Sequence, residues 1–72
     1  MDGEFVSKKL NEAGVVPIGV VAVPAAGLLI VKTESYEDAR NGAAAIGGAQ
    51  ARQAGLPYNG WKVDTPAIYI RA

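Results

Sequence analysis

Seventy-two residues, half of them hydrophobic, with seven acidic and seven basic side chains and neither Cys nor His, bound what this chain can be. The length allows one domain, residues 1–72, and a chain so short buries only about 60% of the surface its unfolded form exposes. Disulfides and thiolate or imidazole metal sites are excluded as compensation, and balanced charge gives neither nucleic acid nor an anionic membrane surface much to attract, which leaves association with other chains.

Val6, Leu10 and Ala13 share one face of a short N-terminal helix over about residues 4–13, with Gly14 as its stop. At about ten residues such a helix persists only when packed. Asp2, Glu4 and Glu12 offset Lys8 and Lys9, so the segment does not resemble the basic start of a signal peptide.

Ala13 to Val31 follows, nineteen residues without a charge or a hydrogen-bonding side chain. Two readings compete for it. As one helix, residues 13–31 are long enough to cross a hydrocarbon core of about 30 Å, which would make the chain a single-pass membrane subunit with a small C-terminal head. Eight of the nineteen residues are Val or Ile, however, three are Gly and two are Pro, and Pro24 near the middle removes an intrahelical hydrogen bond. The strand reading accounts for these details. Residues 15–33 form an apolar β-hairpin, turning at Pro24-Ala25-Ala26-Gly27, with Pro17 at an edge or strand start. Neither run alternates polar with apolar, and continuous apolar strands are covered on both faces. The rest of the chain offers little to cover the second face, so a partner is expected there.

Downstream, Ser35 caps a small-residue-rich helix expected over about residues 36–54, with Glu37 and Asp38 at its positive end, Arg52 near its negative end, Gly55 as its stop and Pro57 beyond. Ala39, Ala43, Gly47 and Ala51 recur every four residues as a ridge almost without side chains. Gly42, Gly47 and Gly48 each cost about 1 kcal/mol in a helix, a cost that close backbone approach would offset. The loop Leu56-Pro57-Tyr58-Asn59-Gly60 leads to strand pieces at Trp61–Val63 and Ala67–Arg71. Their alternation suits a half-solvated sheet, giving an α+β fold.

Chemistry is scarce. Ser7, Ser35, Thr33 and Thr65 have no imidazole to activate them, and Ser35 is accounted for as a cap. Glu34, Glu37 and Asp38 compensate a helix dipole without any cation. Trp61, Tyr58 and Tyr69 suit a core or interface better than a base-stacking surface. The expectation is a non-catalytic structural subunit without cofactor or metal, burying its hairpin against copies of itself or other subunits of a shell, tube or virion-type assembly. The alternatives are the membrane subunit above and a small inhibitor or adaptor binding one protein through the hairpin edge. The expected interface comprises Val16, Ile18, Val20, Val21, Val23, Leu28, Leu29, Ile30, Ala39, Ala43, Gly47, Ala51 and Trp61.

Overall fold

Helix α1 (Gly3–Glu12) ends where the sequence places its stop. The Val15 N–H donates to the Leu10 carbonyl at 2.9 Å and the Gly14 N–H to the Asn11 carbonyl at 3.1 Å, with Gly14 at φ 71°. This is a Schellman closure, in which the left-handed residue satisfies the last carbonyls and brings Val15 onto Leu10. Both side chains are buried in one cluster with Val6. The computed structural model describes residues 3–57 and 60–71, so the expected loop residues Tyr58 and Asn59 lie outside the described residues.

The apolar run is a hairpin. Strand β1 (Gly19–Val23) pairs antiparallel with β2 (Leu28–Lys32), from Gly19 opposite Lys32 to Val23 opposite Leu28. Pro24–Ala26 forms one 3-10 turn, closed by the Gly27 N–H on the Pro24 carbonyl at 3.1 Å with Gly27 left-handed. The expected span of 15–33 shortens, because residues 15–17 run outside the ladder and Ile18 donates to the Lys32 carbonyl one residue out of register. The membrane reading of residues 13–31 is corrected by the same geometry, and among the described residues no helix is long and apolar enough to cross a membrane.

Ser35 caps helix α2 (Tyr36–Ile46), its hydroxyl accepting from the Asp38 N–H at 3.1 Å. The helix stops at Ile46 rather than running to residue 54. Gly47 and Gly48 both take positive φ, 76° and 68°, and turn the chain into strand β3 (Ala49–Arg52). A Cβ at either glycine would meet nothing within 4 Å, so what they supply is conformation rather than close approach. The close approach occurs at Gly42. A Cβ there would overlap Ile68 Cδ1 and lie 2.8 Å from Leu10 Cδ2, so this glycine lets α1, α2 and the sheet converge.

The last strand, β4 (Ala67–Arg71), inserts between β2 and β3 to give the order β1-β2-β4-β3, antiparallel throughout. The expected strand at Trp61–Val63 is instead loop with a single bridge residue at Trp61. The helices cover one face, where Val31, Ile68 and Ile70 meet Val6, Leu10, Ala39, Ala43 and Ile46. On the opposite face Val23, Leu28, Ile30, Ala67 and Tyr69 cluster under Val63 and Ala26. β4 is therefore buried on both sides from Ala67 to Ile70, not half-solvated. The loop before it is fastened twice, by the Gly55 N–H on the Val63 carbonyl at 2.8 Å and the Thr33 N–H on the Pro66 carbonyl at 2.9 Å. Thr33 is itself fully buried, and its hydroxyl donates to the Ser35 carbonyl at 2.8 Å, tying the start of α2 to this junction.

Two stability outcomes follow from this packing. Gly42→Leu places a branched side chain where Ile68 and Leu10 already meet, and chemical denaturation is expected to show a loss of about 1–3 kcal/mol; a variant as stable as the parent would contradict the close approach. Burial pushes the Tyr69 phenol above its ordinary 10.0, opposed by a backbone hydrogen bond from Val63 and the charge of Arg52. Above pH 10.0 the unfolded chain gives up this proton before the folded one, so stability is full below that value and falls as pH rises through the higher folded value. Tyr69→Phe should lose less stability than the parent between about pH 9 and pH 11, by denaturant midpoint, and equal losses would show that the phenol is not held neutral.

Candidate functional site

β1 and β3 are the two outer strands, and they differ. β3 is short, four residues, and carries Gln50 and Arg52, whose Nη2 donates to Gln50 Oε1 at 2.9 Å. β1 is five residues, Gly-Val-Val-Ala-Val, without a charge, and among the described residues it pairs only with β2. Proteins commonly guard such edges with charge, proline or irregular pairing, because unpaired backbone groups invite another strand. Here Pro17 and the displaced Ile18 hydrogen bond limit β1 at its start, and Pro24 limits it at its end. Between these limits the strand carries no charge of its own, and the stem of Lys32 from β2 crosses it at Gly19.

Apolar side chains accompany the open edge. Val16 is 75% exposed, Ile18 49% and Val20 59%. Beside them, Ser7, Leu10, Asn11, Val15, Val16 and Pro17 line an open groove of about 250 Å³ between α1 and the approach to β1. Phe5 is exposed on α1, its ring 5.6 Å from Lys9 Nζ. A second apolar exposure lies on the loop that leaves β3, at Leu56 and Trp61. Trp61 and Tyr69 do not form one aromatic surface, since Tyr69 is buried; Tyr58 lies outside the described residues.

The remaining expected interface residues divide by placement. Val23, Leu28, Ile30, Ala39 and Ala43 are buried in the chain's own two clusters, so they support the fold and present nothing to a partner. Val21 and Leu29 are half-buried. Gly47 lies in the turn after α2 and Ala51 on β3, so the four-residue ridge reduces to Ala39 and Ala43. Sequence reasoning missed Lys32: its Cδ would stand 3.2 Å from a Cβ at Gly19, so its stem crosses over β1. The Gly19 opposite it was the available signal, because a glycine within a strand often marks close approach.

The accessible surface, 4239 Å², is close to the roughly 4200 Å² expected of a compact monomer of this mass. The chain thus closes its own core, and the apolar surface it leaves exposed is an edge and a stripe rather than a whole sheet face. Among the described residues no group of three acidic side chains is placed to hold a metal ion. Thr33 and Ser35 use their hydroxyls on backbone groups. No protein-family model, curated protein or solved structure matches this chain.

Proposed function

We propose that this chain is a non-catalytic structural subunit that builds a larger assembly of copies of itself, or of itself with other subunits, by covering the open β1 edge. The observation that carries the reading is an uncharged outer strand flanked by Val16, Ile18 and Val20, all more exposed than their chemistry favours in water. Adding a strand to such an edge satisfies backbone donors and acceptors and removes apolar surface from water in one step. Zero formal net charge adds no long-range repulsion between copies.

A repeating block needs more than one contact. Leu56 and Trp61 supply a second apolar patch, on the loop that departs from β3 at the opposite sheet edge from β1. Two separate patches favour a building block over an adaptor that docks once on a single protein. Shells, tubes and virions are the assemblies such a block suits.

Sedimentation across a concentration series tests the reading. The parent chain should exceed the monomer mass at micromolar concentration, and Val20→Lys should return it toward monomer. Val20 is exposed, so its replacement is expected to change stability by no more than about 0.5 kcal/mol, with an unaltered circular dichroism spectrum. A parent chain that stays monomeric throughout, or a Val20→Lys variant that assembles as the parent does, would remove the basis for the proposal.

A further inference from the structure

We infer that Lys32 guards the β1 edge: its stem is laid across Gly19, and the ammonium it carries outward opposes the addition of a further strand at that end of β1. The inference adds to the proposed function the control of that same edge, and rests on it only for β1 being the strand open to pairing.

The direction of the side chain follows from the row of residues that crosses the sheet at this level. Lys32 is paired with Gly19 on β1 and with Ala67 on β4, so it stands between the two. Ala67 is fully buried, and an ammonium turned that way would lose its water at heavy cost. Gly19 puts no side chain in the other way out. The Lys32 Cβ, Cγ and Cδ lie 3.9, 3.8 and 3.2 Å from the place a Cβ would take at Gly19, so the stem closes on the outer strand as it extends. A lysine so placed packs its carbons on the backbone and keeps its charged head in water. A side chain at position 19 would press on that stem, which gives a reason for the one glycine found within the strands.

Lys32 is the only charged residue of β1 and β2, and among the described residues its ammonium forms no ion pair. A strand added to β1 would run about 4.8 Å beyond it, with a side chain opposite Gly19 near the space the lysine occupies. The charge would then be displaced or stripped of water, and an apolar incoming strand would offer no counter-charge in return. Charged side chains, lysine above all, recur on outer strands for this reason. The guard is local. Pro17 and the displaced Ile18 hydrogen bond already limit the ladder before Gly19. Lys32 carries that protection into the first pair of the ladder, and Val20 to Val23 are the part of β1 it leaves uncovered.

Removing the charge tests the inference. Lys32→Met deletes the ammonium and keeps a stem over Gly19, while Lys32→Gln deletes it without adding apolar surface. Sedimentation of the full chain across a concentration series should show both variants self-associating at concentrations at least about tenfold below the parent's, with the parent's circular dichroism spectrum. Two variants guard against misfolding, because either one that keeps the parent's spectrum decides the question. Lys8→Met, at an exposed position on α1, makes the same change in net charge away from the edge and should behave as the parent does. Lys32 variants that associate no more readily than the parent, or a Lys8→Met variant that shifts as far as they do, would overturn the guard. The parent separates this failure from that of the proposed function. If the parent assembles and the Lys32 variants assemble no more readily, the guard falls and the structural role stands. If the parent stays monomeric while the Lys32 variants associate, the guard stands and the structural role falls; if all remain monomeric, both fall.

Discussion

Everything else in this fold depends on β4 being apolar on both of its sides. Ala67 to Ile70 are all buried, with Ile68 and Ile70 turned to the helices and Ala67 and Tyr69 to the loop side. This strand comes last in the sequence and lies between two that precede it, β2 and β3. Among the described residues, the hairpin and β3 meet within the sheet only through β4. Non-local pairing of this kind is the slow part of folding, because the intervening loop must close before its contacts are gained. The Thr33 and Pro66 contacts that hold the entry to β4 lie at the seam between the two units.

Filling the centre from the end of the chain decides what is left at the sides. β3 carries the exposed Gln50 and the half-buried Arg52, whereas β1 is drawn from the same uncharged run that supplies most of β2. That asymmetry leaves β1 as the uncharged outer strand of the sheet and β3 as the charged one.

The local elements were legible wherever one residue type admits one explanation. Gly14 as a stop, Ser35 as a cap and Pro24 to Gly27 as a four-residue turn are visible in the sequence, because each position demands a particular backbone geometry or side-chain oxygen. The end of α2 was not. Gly47 and Gly48 read equally as a ridge for close packing or as a turn, and only tertiary pairing of Ala49–Arg52 with β4 selects the turn. Gly42 carried the close approach that the ridge suggested, one residue from the position the four-residue spacing favours. The cover of the second face was also illegible, because it comes from Val63, Ala26 and the ring of Tyr69, residues separated in sequence and without a shared period. As a result, composition overstated how much of the apolar run needs a partner. The candidate surface shrank from a sheet face to Val16, Ile18, Val20 and the edge that bears them.

The central claim is that this chain completes its own core and relies on a partner only at β1. Amide hydrogen exchange measured on dilute and concentrated samples tests it most directly. The account predicts that β2 and β4 amides are strongly protected at every concentration, while β1 amides gain protection only as concentration rises. If β2 and β4 exchanged as fast as the loops in dilute solution, the core would not close without a partner, and the account would be contradicted.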